Sequence, residues 1–230
     1  MKIRVFLVLL TTIVLSCSNS VDYSDEFKKE TSGSYLYNLD DLIEVYYDDN
    51  TLYLNWRGGK VKPVAIAENE FFVPDMYKKY HFVIHPETKK RYLSAINEDE
   101  ASTITYDYLK APKGYKTPST LLEEGKFKKA LAGYLEIKKQ DSTSSYINEW
   151  DFNKLGYKYF REQELEKAIE VFKINVALHP TSANVYDSLG QAYLVSGDSL
   201  QAYINYKNSL KFNNGNKRAK EYVDAYKTKS

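Results

Sequence analysis

The strongest constraint on the fold is a stretch of the C-terminal half that repeats after 34 residues. Asn153–Tyr159 aligns with Asp187–Tyr193, which places Gly156 over Gly190. Four further pairs keep the same offset: Leu155 with Leu189, Tyr159 with Tyr193, Ala168 with Ala202, and Phe172 with Tyr206. A fixed period of this length predicts an array of small units, each of which buries its apolar face against the next.

The residue types within this period are those of the tetratricopeptide repeat, a pair of packed helices. A small residue, an aromatic residue, an alanine and a second aromatic residue recur at its characteristic positions. We predict that the two glycines let the helices of a unit approach closely, with Ala168 and Ala202 opposite them. The predicted packing residues are Leu155, Gly156, Tyr159, Ala168, Phe172, Pro180, Leu189, Gly190, Tyr193, Ala202 and Tyr206.

The repeats set the predicted boundaries of the C-terminal domain, residues 119–230. Two repeats span 149–182 and 183–216, and a capping helix covers 217–227. A degenerate repeat at 119–141 precedes them, in which Ala130 and Tyr134 keep the alanine-to-aromatic spacing and the extra residues fall in 142–145. A linker at 111–118, with two prolines and a glycine, separates this domain from the N-terminal one.

The region 33–110 has short β-branched and aromatic runs divided by turn residues, and no helical period. The predicted strands are 42–47, 52–56, 61–67, 70–73, 80–84, 91–96 and 103–109, with a hairpin signal at Gly58-Gly59. Such a series favours an antiparallel meander, closed or half-closed into a small barrel. The predicted fold class is therefore α+β in two modules: a β meander or small barrel, then an α-helical tetratricopeptide array.

The N-terminus has the layout of a secretory signal peptide at residues 1–16. Lys2 and Arg4 precede a short apolar run, and Val14–Cys17 resembles a bacterial lipobox, which implies an acyl group such as palmitate on Cys17. An ordinary signal peptide with a stray cysteine is the alternative. Residues 17–32 then form an acylated tether, and Ser18 favours the outer membrane of the cell envelope, with the membrane face left open.

The repeats and the preceding strands together resemble parts of Bacteroidota-type envelope lipoproteins. The stretch from Leu155 to Tyr193 is similar to repeats that follow β-lactamase-type serine hydrolases, and Gly33–Leu109 more weakly resembles their small lipocalin-like β-domain. The resemblance is to the non-catalytic C-terminal regions of those hydrolases. Their nucleophile needs a Ser-x-x-Lys motif, which this sequence lacks. An accessory subunit of an envelope hydrolase is thus one alternative function.

The residue inventory offers little chemistry, and we predict no enzyme activity, no catalytic residue, no metal site and no cofactor. No nucleophile elbow, phosphate-binding loop or zinc motif occurs. His81 and His85 are about 13 Å apart on a strand, too far to share a metal, and His179 precedes the repeat-ending proline. The acids at 48–49 and 98–100 are typical of solvated turns. The formal net charge of +1 does not favour nucleic acid.

The predicted function is non-catalytic protein–protein interaction by a lipoprotein that meets the membrane only through its lipid. The first helix of each repeat should line a groove for a protein or peptide partner, through Trp150, Asn153, Tyr157, Arg161, Asn184, Asp187 and Gln191. Alternatively, the repeats only stabilise the β-domain. A further alternative is a carrier of small hydrophobic ligands, with a barrel rim of Tyr35, Tyr53, Trp56, Phe72 and Phe82.

Overall fold

The computed structural model describes residues 21–97 and 103–229, so Cys17, the signal peptide 1–16 and the acids 98–100 lie outside the described residues. The strands are β1 Gly33–Asn38, β2 Asp41–Asp48, β3 Thr51–Trp56, β4 Gly59–Val61, β5 Val64–Ala67, β6 Glu70–Val73, β7 Lys78–Ile84, β8 Arg91–Ile96 and β9 Tyr108–Lys110. The helices are α1 Asp25–Thr31, α2 Pro118–Glu123, α3 Phe127–Gln140, α4 Glu149–Arg161, α5 Leu165–Leu178, α6 Ala183–Val195, α7 Ser199–Phe212 and α8 Lys217–Lys229. Short 3-10 turns span Pro74–Met76 and Ser145–Ile147.

The predicted fold class is wrong in its β part. The strands form one nine-stranded antiparallel half-barrel in the order β4-β3-β2-β1-β9-β8-β7-β6-β5. This is neither a plain meander nor a closed barrel, because β1 pairs with β9 and the consecutive strands β4 and β5 form opposite edges. Buried Pro63 lies between those two strands and has no N–H to donate, so it does not continue a hydrogen-bond ladder. Of the predicted strand 103–109, only its end belongs to β9.

The turn between β3 and β4 shows how a short glycine signal fixes register. Arg57 and Gly58 both have positive φ angles, 50° and 78°. A two-residue hairpin turn needs positive φ at its central residues because only then does its twist match that of the two strands. Trp56 then pairs with Gly59. The hairpin predicted at Gly58-Gly59 is therefore present, with Gly59 already in the strand.

The α1 helix and the preceding Tyr23 belong to the first compact unit, which among the described residues begins at 21–33 and continues with Glu44–Leu109. Tyr23 is only 4% exposed, and its ring lies 5.1 Å from that of Tyr47. Phe27 contacts Phe82 at 5.8 Å between ring centroids. The segment 17–32, expected to be a tether without regular structure, thus contains a helix that packs on this unit.

The second unit contains all the helices from α2 to α8 and, in addition, Ser34–Ile43. Within it, the turn after β1 caps α2: the Asp40 carboxylate accepts the Ser119 N–H at 2.8 Å, and the Tyr115 hydroxyl donates to the Leu39 carbonyl at 2.7 Å. Asp41 accepts a hydrogen bond from the Tyr146 hydroxyl at 2.9 Å. The helical unit therefore includes the turn at residues 39–40, although the predicted boundary at 111–118 places that turn in the β-domain.

Helices α4–α5 and α6–α7 form two antiparallel pairs that coincide with the 34-residue repeats. A Cβ built on Gly156 would lie 2.4 Å from the ring of Phe172, and one on Gly190 would lie 3.0 Å from the ring of Tyr206. The glycines therefore face the aromatic residues of the second helices rather than Ala168 and Ala202, which were expected opposite them. The two glycines still allow the helices of each pair to approach closely, because a larger residue would collide with these fully buried rings.

The degenerate repeat is built differently at the same position. Its first helix, α2, has six residues where α4 has 13. Pro118 occupies the place of the repeat glycines, and the space that it needs comes from Gly133 on α3, where a Cβ would lie 2.5 Å from the proline ring. The connection to α4 includes the 3-10 turn Ser145–Ile147, whose Ile147 is buried.

The capping helix α8 covers the end of the array. Ala219 and Val223 pack against Ala202 and Tyr206 of α7 in one apolar cluster. The burial of this apolar cluster explains why α8 packs at the end of the array, although the helix is rich in lysine.

Candidate interaction surface of the repeats

The first-helix surface, defined here by the seven predicted groove residues on α4 and α6, begins at a well-capped helix. Asn148 caps α4 by accepting the N–H groups of Trp150 and Asp151 through its side-chain oxygen. This positions Trp150, which is 69% exposed, in the first turn. Arg161 is exposed in the last turn and forms no hydrogen bond or ion pair among residues 21–97 and 103–229. These two side chains are the open ends of the surface on α4.

The middle of the surface is held by bonds between the two first helices. Ser188 donates to the Asn153 side-chain oxygen at 2.8 Å, and both residues are buried. The Tyr157 hydroxyl donates to Gln191 at 3.0 Å, while the Tyr157 ring packs at 5.2 Å on Phe172. Asn153 and Tyr157 therefore fix one repeat to the next, so they contribute structure more than a free contact surface.

The α6 part of the surface is engaged by the capping helix. Arg218 of α8 forms an ion pair with Asp187 and also donates to Gln191 at 2.8 Å. Asn184 donates to the Glu149 carboxylate at 3.1 Å. The structure thus joins Tyr157 to Gln191, and most polar groups of the seven predicted residues are already satisfied within the array.

Two apolar residues at the end of α6 extend this surface and were missed in the sequence. Leu194 and Val195 are 40% and 55% exposed. Val195 is 34 residues after Arg161 and therefore occupies the same position in the next repeat. The repeat register, continued beyond Gln191, is the sequence signal that marks this position.

A cleft of about 320 Å³ lies between the degenerate repeat and α4, on the side of α4 opposite the first-helix surface. It exists where α2 is short and where the extra 3-10 turn enters. The lining residues are Ser119, Leu122, Glu123, Tyr134, Ser145, Tyr146, Asp151, Phe152, Leu155 and Tyr159. Its walls are thus mainly apolar and aromatic, with Glu123 and Asp151 as its two charged residues.

Burial raises the pKa values of tyrosines in this unit. For Tyr134, burial is the main cause, and Asp40 and Glu123 add to the shift. Burial likewise raises the pKa of Tyr206 to about 12. Both hydroxyls therefore stay protonated at neutral pH, so neither supplies an anion for catalysis.

The histidines have structural surroundings. The His179 ring nitrogen is 2.8 Å from the Ile147 carbonyl oxygen, and His85 accepts the Glu87 and Thr88 N–H groups in a turn. Burial lowers the pKa of His81. In the ranges 21–97 and 103–229, no three His, Cys, Asp or Glu side chains are grouped as a metal site. No helix in those ranges is long and apolar enough to cross a bilayer.

The five residues predicted to form a ligand-binding rim in the sheet differ in their exposure to solvent. Tyr35 and Phe82 are buried, whereas Tyr53, Trp56 and Phe72 are half-buried. Phe82 contacts Phe71 and the α1 residue Phe27. Phe27 of α1 therefore occupies apolar surface of Phe82 that a bound ligand would need.

No protein-family model matches this sequence, and no curated protein matches it. Similar solved structures include the first TPR of Spaghetti (RPAP3) bound to an HSP90 peptide, at 19% identity and TM-score 0.34, covering 48% of this chain and 85% of that one. Two crystal structures of MamA match at 25% identity and TM-score 0.32, covering 46% and 47% of this chain and 56% and 61% of theirs. At these TM-scores the likeness carries no functional argument. The helix pairs themselves show a tetratricopeptide-like fold.

Proposed function

We propose that this protein is a non-catalytic, lipid-anchored envelope protein whose repeats bind a peptide segment of another protein. The observation that carries the proposal is the exposed Trp150 at one end of α4 with Arg161 at the other. Trp150 is 69% exposed, more than any other large apolar side chain described in the helical unit, and tryptophan and arginine are the residues most enriched at the energetic centres of protein interfaces.

The spacing of these two residues suits an extended peptide. They are 11 positions apart, so they lie on nearly the same face of α4, about 16 Å apart along its axis. Roughly five residues of extended chain span that distance. An apolar side chain on Trp150 and a carboxylate paired with Arg161 would therefore be about five residues apart, and Leu194 and Val195 add apolar area beside Arg161.

Acylation of Cys17 would hold the first unit close to the membrane. The Tyr23 N–H donates to the Asn50 side chain at 2.9 Å, and that side chain donates to the Val21 carbonyl at 2.8 Å. Only four peptide steps separate Cys17 from Val21, a reach of about 14 Å at most. The lipid would therefore act as a short attachment rather than as a long tether.

The binding proposal is tested by crosslinked capture from native membranes. Wild type is compared with a Trp150→Ala/Arg161→Glu variant, because neither side chain has a hydrogen-bonding role in the array. The matched control is Leu200→Ala, which removes a similarly exposed apolar residue from α7, a second helix. We expect a partner that wild type and Leu200→Ala retain and the double variant loses, and the identified partner would show whether it is an envelope hydrolase.

Circular dichroism must show that the double variant keeps its helices. Equal capture by all three proteins would reject the first-helix surface as the binding site. The lipid is tested separately by labelling cells with an alkyne analogue of palmitate. We expect label on wild type only, and release of a Cys17→Ala variant from membranes; labelled Cys17→Ala protein would contradict acylation at this residue.

A further inference from the structure

The cleft beside α4 is more specific than a gap in a repeat array. Two departures from the repeat create it: α2 has six residues instead of 13, and a 3-10 turn precedes α4. Rigid parts surround the opening. Phe152 and Tyr134 are in edge-to-face contact at 4.9 Å, and Tyr146 is held by its bond to Asp41. The cleft is therefore preformed, which lowers the entropic cost of filling it.

The size and lining of the cleft favour a single large side chain. Its volume of about 320 Å³ is at the lower end of the range of small-molecule sites. Leu122 and Leu155 supply aliphatic surface, and Tyr134, Phe152 and Tyr159 supply rings. An aromatic or long aliphatic side chain would bury its apolar area there and gain ring contacts.

The charged residues at the cleft determine which peptide residues can lie next to the bound side chain. Glu123 and Asp151 are exposed lining residues, and neither carboxylate forms an ion pair within the residues that the structure describes. No lysine or arginine lines the cleft. Its electrostatic potential therefore favours a cation beside the apolar anchor and disfavours an acidic neighbour.

We propose that the cleft receives an apolar anchor side chain of the partner peptide, flanked by lysine or arginine residues that face Glu123 and Asp151. This inference deepens the proposed function and rests on it, because it assigns the sequence character of a second peptide contact, on the side of α4 that faces the degenerate repeat.

The probe is a fluorescein-labelled nonapeptide with one tryptophan followed by two lysines in a glycine–serine background. Its binding to the full mature chain is measured by fluorescence anisotropy at low salt, where exposed charge pairs are least screened. Two matched peptides replace the tryptophan by alanine or the lysines by glutamates. We expect at least about tenfold weaker binding without the tryptophan and about two- to fivefold for each lost ion pair.

Protein variants locate the site. Glu123→Gln and Asp151→Asn should each weaken the probe about two- to fivefold, and Ser145→Trp, which fills the opening from the 3-10 turn, should abolish binding. Glu162→Gln, an equal charge change at the far end of α4, is the control and should have no effect. Circular dichroism of each variant confirms its fold.

Equal affinity for all three peptides, or equal loss in Glu162→Gln and Asp151→Asn, would overturn the cleft assignment. The Trp150→Ala/Arg161→Glu capture experiment separates the two proposals. If that variant loses its partner while the cleft variants bind the probe as wild type does, the cleft inference fails and the first-helix surface stands. If the partner is retained there and the probe binds through the cleft, the surface proposal fails instead.

Discussion

Replacing each repeat glycine by alanine should give two different outcomes, although the sequence makes the positions equivalent. At Gly156 the new Cβ would lie 2.4 Å from Phe172 Cε1 and 2.7 Å from two further ring atoms. These distances are not compatible with van der Waals packing, and Phe172 is a fully buried ring whose displacement would disturb its packed neighbours. At Gly190 the nearest ring atoms of Tyr206 are 3.0 to 3.2 Å away.

The expected magnitudes follow from two opposing effects. Alanine gains about 1 kcal/mol of helix propensity over glycine at either position. Forcing a methyl group into a well-packed core costs about 1–3 kcal/mol, and the cost at Gly156 should be at the upper end. We therefore expect Gly156→Ala to lower the free energy of unfolding by about 1–2 kcal/mol, and Gly190→Ala to change it by less than about 0.5 kcal/mol.

The assay is urea unfolding of the full chain followed by circular dichroism at 222 nm, which reports the helices. A Gly156→Ala/Phe172→Leu variant tests the mechanism, because a smaller side chain should relieve the clash. We expect a favourable coupling of about 1 kcal/mol in the double-mutant cycle. Equal stability of the two alanine variants, or no coupling with Phe172→Leu, would refute the packing argument.

Three further outcomes are expected. Burial is the main cause of the raised pKa of Asp40, so this carboxyl binds its proton more tightly in the folded state than in the unfolded state. Asp40 therefore destabilises the fold increasingly as the pH rises from about 3.9 through its pKa in the folded state. In urea unfolding, the stability gained by Asp40→Asn should grow over that pH interval, and a pH-independent gain would contradict this reasoning. Asn50→Ala should expose the chain near Tyr23, seen as faster chymotrypsin cleavage there, and an unchanged rate would show that the Asn50 bonds do not hold this segment. Arg218→Ala should lower the free energy of unfolding by up to about 1 kcal/mol, as expected for a partly exposed ion pair, and speed amide exchange in α8, whereas unchanged exchange would mean that apolar packing alone docks this helix.

The helical half of the fold could be predicted because its signal is local. Helix pairs need small residues where they touch and aromatic residues where they leave space, and both recur at fixed spacing from Leu155 to Tyr206. The same register predicts the first-helix surface. It could not show that Asp187 and Gln191 are engaged by Arg218, because α8 lies outside the repeat period.

The sheet was predicted less well because its pairing is not local. Most strand segments were recognisable from their alternating residues and turns. The pairing of β1 with β9, and the separation of β4 from β5, depend on contacts between residues far apart in the chain. Helix α1 was missed because six of its seven residues are polar and show no marked period; the aromatic contact of Phe27 with Phe82 stabilises it.

By itself, the sequence determined that the C-terminal half is a repeat array and that strands precede it. These properties follow from spacing along the chain, which secondary structure converts directly into position. Only the tertiary structure decided that the glycines face Phe172 and Tyr206, that the turn at Asp40 belongs to the helical unit, and that a cleft opens beside α4. Each of these features depends on how side chains from separate elements pack together in three dimensions, and the spacing of residues along the chain does not predict that packing.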